Sequence, residues 1–189
     1  ATEEVSRARR QSDLRSAISL RDVPSCVLAA REMVTAAAAA ANTRADELDT
    51  KEDEQIKAAF GIEEGSRIKG PSKRNVDSAK KQLLAHQKTR RTRMIRDEAD
   101  RSLVDLLGLF RDVLIVQVGS NLDLINQEML PAIESFAARG NPADTTRTLE
   151  AIEHARASIQ AHTPPQLAVE SVMVSIKDPK LASVHVNMR

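Results

Sequence analysis

Leu103-Val-Asp-Leu-Leu-Gly-Leu-Phe-Arg-Asp-Val-Leu-Ile-Val-Gln-Val118 decides the fold class. Its apolar positions Leu103, Leu106, Leu107, Phe110, Val113, Leu114 and Val118 recur every three or four residues, which places them on one face of an α-helix. Upstream the stripe continues through Val76, Ala79, Leu83, Leu84, Met94, Ile95 and Ala99. A single helix over 73–118 would be roughly 70 Å long at ~1.5 Å per residue, more than a domain of this size can cover. Its first half is therefore expected to project or to break near His86–Arg93. Leu107, Phe110 and Leu114 share one face and are expected core.

The remaining composition extends the helical reading to the whole chain. There is no Trp or Tyr, there are three Phe and six Gly in 189 residues, and Ala36 to Ala41 is an unbroken alanine run. Residues that favour strands are scattered rather than alternating. The expected fold is all-α: a helical bundle with an N-terminal helical remnant and one long helix, its core built from Leu, Ile, Val, Ala and Met. Cys26 has no second cysteine to pair with, and its apolar neighbours Val23, Val27 and Leu28 mark it as a buried small hydrophobe in a reducing compartment, the cytoplasm. No apolar run approaches the ~20 residues of a membrane span, and no signal peptide pattern opens the chain. It starts at Ala1-Thr2-Glu3-Glu4 without Met, as a piece cut from a longer protein would.

Four regions follow: a helical region 1–61, a connector 62–72, a bundle 73–178 and a tail 179–189. Thr2 to Ile18 is a weakly amphipathic helix with Thr2 as N-cap and Glu3 and Glu4 in its first turn. Pro24 opens a second helix towards Phe60, and Gly61 stops it. The connector, Ile62-Glu-Glu-Gly-Ser-Arg-Ile-Lys-Gly-Pro-Ser72, has no period. Gly119 ends the long helix, and Asn121 or Asp123 starts an irregular crossing. Three helices close the chain: Glu128–Arg139 with Pro131 in its first turn, one capped by Asn141-Pro142, and Gln166–Lys177, capped by Thr163-Pro164-Pro165. The last carries Leu167, Val169, Val172, Met173, Val174 and Ile176 nearly all round, so Leu167 and Met173 are core or assembly candidates beside Leu103.

Charge is segregated behind a net value of +1. Residues 1–66 hold 9 basic and 13 acidic side chains, 67–96 hold 11 and 1, and 97–189 hold 8 and 13. Lys88, Arg90, Arg91 and Arg93 in the basic block could neutralise DNA phosphates or meet an acidic partner; as a bland alternative they solvate an exposed helix face. The absence of Trp and Tyr argues against stacking on single-stranded bases.

No catalytic constellation emerges. His86, His154, His162 and His185 are dispersed, none with the i,i+3 or i,i+4 partner a helical metal site needs, and His162 reads as a partner for a helix C-terminal dipole. Asp97, Glu98 and Asp100 pair at helical spacing with Arg93, Arg96 and Arg101. Gly65 and Gly70 imitate a phosphate loop, but Pro71 stands where that loop needs Lys, and no strand precedes it. No cofactor, metal, small-molecule substrate or enzymatic activity is expected.

Two stretches resemble a known family. Asp100 to Leu114, a leucine-rich segment ending in Phe110-Arg-Asp-Val-Leu114, and Pro165-Gln-Leu-Ala-Val-Glu-Ser-Val-Met-Val174 are similar to the C-terminal part of the δ′ subunit of the bacterial DNA polymerase III clamp loader. Val169 stands where the family often has Leu, and the related γ/τ subunits share the closing helix. Ser19-Leu-Arg-Asp-Val23 and the alanine-rich helix after it resemble the stretch between the ATPase-like modules and the collar, which makes 1–61 a lid or linker region. The resemblance implies a collar domain that joins γ/τ-type and δ-type subunits into a ring serving DNA replication. It also implies an N-terminal module with a zinc site and a Ser-Arg-Cys element, none of which occurs in these 189 residues.

The chain is accordingly expected to show no saturable binding in a titration with labelled ATP at micromolar concentrations. Saturation there would bring the enzyme reading forward.

Overall fold

A computed structural model describes residues 2–60 and 71–182. Among them every regular element is helical: α1 (Thr2–Ile18), α2 (Val23–Ala59), α3 (Pro71–Val118), a short 3-10 turn (Gln127–Met129), α4 (Leu130–Ala137), α5 (Pro142–Gln160), α6 (Pro165–Lys177) and α7 (Pro179–Ala182). The fold is all-α. Gly61, Gly65, Gly70, His185 and the tail beyond Ala182 lie outside the described residues.

Local chemistry sets the ends of these helices. Asp22 caps α2, its Oδ1 accepting the Ser25 N–H at 2.8 Å while Ser25 Oγ accepts from the Arg21 and Asp22 N–H groups. Asn141 caps α5, accepting from the Asp144 N–H at 3.0 Å, with Pro142 just inside. Pro164 precedes α6 without any side-chain cap, so Thr163 does not serve as one. Two C-termini close alike: Ser120 N–H reaches Ile115 O with Gly119 at φ +66, and Thr163 N–H reaches Ser158 O with His162 at φ +71. His162 thus occupies a left-handed position that glycine usually fills.

The chain divides into two compact units, Ala1–Ala37 with Ala99–Arg189 and Ala38–Glu98. In the first, the stripe that the sequence announces is buried, with a shifted centre. Leu103, Leu106, Leu109, Phe110 and Val113 are at most 1 % exposed, whereas Leu107 and Leu114 are half-buried at its margins. Phe110 meets Phe136 of α4 edge to face, ring centroids 5.6 Å apart. α1 adds Leu14 and Ala17, α5 adds Ile152 and Ile159, and α6 adds Val169, Val172 and Met173 to the same core. Leu167, by contrast, is 58 % exposed: it lies in the first turn of α6, on the side away from Val169 and Val172. It is not core, and assembly is the role still open to it.

Cys26 is buried, as its small apolar character predicts, but Val23, Val27 and Leu28 face solvent. Burial raises the Cys26 thiol pKa above its ordinary value, which keeps the sulfur protonated and inert. The first half of α2 packs through Cys26, Ala30, Met33 and Ala37. With a mean hydropathy of 1.2 over 18 residues, α2 is also long and apolar enough to cross a bilayer by length and composition, contrary to the sequence expectation. That apolarity comes from Val23, Cys26, Val27, Leu28, Met33 and Val34 together with the alanine run, and 28 % of the stretch is buried, Cys26, Ala30, Met33 and Ala37 among it.

In the second unit, α3 runs unbroken through His86–Arg93, where a break was one expectation. The second half of α2 runs antiparallel to it. Arg44 pairs with Glu98, Arg91 with Asp46 and Asp49, Arg90 with Asp49 and Glu52, and Gln87 with Glu52, so numbers climb in one helix as they fall in the other. Buried Ala41 and Ala45 carry no bulk that would hold the two backbones apart.

Phe110→Ala should lower stability by about 3–5 kcal/mol, the usual cost of emptying a buried Phe site, while Leu167→Ala should stay within about 0.5 kcal/mol. Urea unfolding of the two variants side by side checks both. An unchanged midpoint for Phe110→Ala would mean the stripe is not core.

Candidate functional site

Two polar constellations stand out, one in each unit. In the first unit the Asp112 carboxylate is fully buried and accepts from the Ile125 N–H at 3.0 Å, the Asn126 N–H at 2.7 Å and the Asn126 side-chain amide at 2.8 Å. Arg111 donates to it at 3.1 Å and also to the Asp123 carbonyl, at 3.3 Å. One turn pair earlier, Asp105 accepts from Arg10 of α1 at 2.9 Å, and the same guanidinium reaches Asn126 Oδ1. Asp105 and Asp112 are seven residues apart, hence on one face, and together they hold α1 and the 119–126 crossing against α3. That spacing of two acids inside a leucine-rich run was the sequence signal for this knot, and sequence reasoning passed over it.

The crossing so fixed presents apolar side chains. Leu122 and Ile125 are 62 % and 56 % exposed, and Ile125 lies over Gly108, one helical turn from exposed Val104. A Cβ on Gly108 would already touch Ile125 at 3.7 Å.

Asp13 of α1 sits near this knot. Burial pushes its pKa up to about 6, Arg9 opposes the rise and Asp105 adds to it. No sequence pattern flags this group, because its burial depends on which face of a weakly amphipathic helix is used.

The second constellation is the ionic ladder of the hairpin. Arg90 donates to both oxygens of Glu52, at 2.8 Å to Oε2, and also reaches Asp49; Arg91 reaches Asp49 at 2.7 Å and Asp46 at 2.6 Å. The Arg90 hydrogen bond holds Glu52 below its ordinary pKa. Burial works to raise Asp49, and the Arg91 and Arg90 hydrogen bonds outweigh it, leaving Asp49 lowered as well. Of the four cations singled out from the sequence, Arg90 and Arg91 are therefore engaged by α2. Lys88 is exposed, and Arg93, 83 % exposed at its side chain, makes a loose 3.8 Å pair with Asp97.

The acidic trio after the basic block divides. Asp97 pairs with Arg93 at the predicted spacing, but Glu98 takes Arg44 from α2 and Asp100 takes Arg156 from α5 at 2.9 Å, partners that local spacing cannot supply. Asp100 holds the Arg156 guanidinium above its usual pKa. Among the described residues no group of His, Cys, Asp and Glu is placed to hold a metal ion. His86, His154 and His162 are exposed and far apart in sequence.

Residues 92–178 match the family model of the DNA polymerase III delta subunit, C terminal. The matched segment is thus similar to a clamp-loader component. It spans the second half of α3 through α6, including the Asp112 knot and the Phe110–Phe136 contact, and leaves nearly all of the hairpin unit outside. No curated protein and no solved structure matches the chain.

Because the folded Asp13 carboxyl binds its proton more tightly than the unfolded one, its contribution to stability is complete below about pH 3.8 and is lost as pH rises through about 6. Asp13→Asn should therefore stabilise the protein at pH 7.5 by up to about 3 kcal/mol and change little at pH 4. Thermal melts at both pH values check this; an equal effect at both would show that Asp13 does not titrate in that window.

Proposed function

We propose that the unit formed by Ala1–Ala37 with Ala99–Arg189 is the assembly, or collar, domain of a DNA polymerase III clamp-loader subunit. The observation that carries this reading is the family match over 92–178, which falls on the helices that build this unit's core. The Phe110-Arg-Asp-Val-Leu114 motif that prompted the resemblance has a physical role there: Phe110 fills the core and Asp112 anchors the crossing. Three exposed apolar side chains on that segment, Val104, Leu122 and Ile125, give it a face suited to other subunits. The role is structural and non-enzymatic, within the bacterial cytoplasm, and its partners are γ/τ-type subunits together with the remaining δ or δ′ type. The match to the delta model favours the δ position over the δ′ one that the motifs first suggested.

Size-exclusion chromatography with clamp-loader partners tests the reading. The chain alone should elute as a monomer or weak oligomer and should co-migrate with the partners when they are mixed. The double change Val104→Asp and Ile125→Asp should weaken that association at least about tenfold, as loss of apolar anchors at the middle of an interface does, while leaving the melting temperature in place. Failure of the unmodified chain to join any combination of partners would overturn the proposal.

A further inference from the structure

The hairpin unit carries a feature that the family match leaves unexplained. On α3, Arg74, Lys81 and Lys88 are seven residues apart, and a seven-residue step on a helix turns by only about 20°, so the three cations form a line. Arg96, eight residues on, lies on the same side. Ser78, Ala85 and Thr92, all short, flank the row on one side, and Asp77 and the exposed Leu84 flank it on the other. Arg74, Lys81 and Lys88 are exposed and Arg96 is half-buried.

This side is opposite to the one α2 occupies. Gln87, Arg90, Arg91 and Glu98 bond to α2, and their helical positions fall across the axis from the cation line. The acids of α2 that could have neutralised α3, namely Asp46, Asp49 and Glu52, are consumed on that inner side. Among the described residues Arg74, Lys81, Lys88 and Arg96 enter no ion pair, and Asp77 is the single acid of α3 between Arg74 and Arg96.

We propose that this outer line is a binding site for the sugar-phosphate backbone of duplex nucleic acid. From Arg74 to Arg96 the line runs about 33 Å at ~1.5 Å per residue, close to the ~34 Å of one duplex turn. A continuous helix with cations at seven-residue intervals along one line can lie against a rigid polyanion of that repeat. No aromatic residue occurs on α3 upstream of Phe110, which leaves no stacking platform for unpaired bases and favours the duplex over a single strand. Without base-edge readers on the line, recognition is of charge and shape rather than sequence. The site is independent of the assembly reading, because it lies on the hairpin and nearly all of it falls outside the matched segment.

Fluorescence anisotropy of the full chain with a labelled 20-base-pair DNA duplex, from 50 to 200 mM NaCl, tests the proposal. Four neutralised phosphates give a log–log slope near about −3.6, or roughly a 100-fold loss of affinity over that range. The triple change Arg74→Gln, Lys81→Gln and Lys88→Gln should reduce the slope by about 2–3 units, with circular dichroism confirming unchanged helicity. A matched loss of charge elsewhere, Lys57→Gln with Arg147→Gln and Arg7→Gln, should leave the slope within one unit. Four results would overturn the site: equal loss in both triple variants, stronger binding to single strands, binding to an acidic peptide or anionic vesicles in preference to duplex, or no binding at 50 mM salt. Co-migration with clamp-loader partners should survive the first triple change, so failure here and failure of the assembly reading remain distinguishable.

Discussion

The first unit depends on a charge taken fully out of water. A carboxylate as buried as that of Asp112 would be costly if unpaired, and the cost is met by three N–H donors from residues 125 and 126 and by the Arg111 guanidinium. The requirement works in both directions: the acid needs the crossing segment where it is, and the buried Asn126 finds in the Asp112 carboxylate the acceptor for both its backbone and its side-chain N–H. Once residues 119–126 are pinned, the chain that follows can only enter α4 in one place. Phe136 then reaches the edge of Phe110, and Gln117 bonds to the Ala137 carbonyl and to Thr145 at the start of α5. A single polar anchor thereby sets the register of the apolar contacts around it.

In the hairpin unit the hierarchy is reversed. Its buried side chains include Ala41, Ala45 and Val76, too small to specify a register by shape, and ionic pairing supplies what packing does not. Individual exposed ion pairs contribute little, but Arg90 and Arg91 share Asp49 between them and each holds a second carboxylate, which makes a network rather than a set of pairs. Sliding one helix by a turn would break all of these bonds together. The lowered pKa values of Asp49 and Glu52 mean that this contribution is present above their ordinary carboxylate range and is lost as pH falls below that range through their lowered values, opposite in sign to that of Asp13.

Features carried by spacing along one helix were legible in the sequence. The stripe from Leu103 to Val113, the Asn141-Pro142 start of α5 and the Gly119 stop depend on nearest neighbours, and the structure places them as their chemistry dictates. What depends on a partner helix was not legible. Asp100 looked local because Arg96 stands at helical spacing, yet it is held by Arg156, and Glu98 takes Arg44; both partners lie far away in sequence. The same limit explains Leu167: an apolar residue on a helix that is apolar nearly all round reads as core until the neighbours decide which side is left uncovered. In the basic block the residue types were evident, but which cations α2 would occupy required the register of two helices.

That register is what gives the segregated charge its meaning. Asp46, Asp49 and Glu52 recur at three-residue intervals, a period that keeps them near one side of α2, and they face Arg90 and Arg91 on α3. Neutralising those two arginines desolvates positive charge only where negative charge compensates it, and it leaves the outer cations hydrated and unpaired. A helix with the same composition but its acids on the outer side of α2 would have a similar net charge and a far weaker external field. The separation of charge along the chain thus becomes, in the hairpin, a separation between inner and outer faces, and it is the outer face that a polyanion would meet.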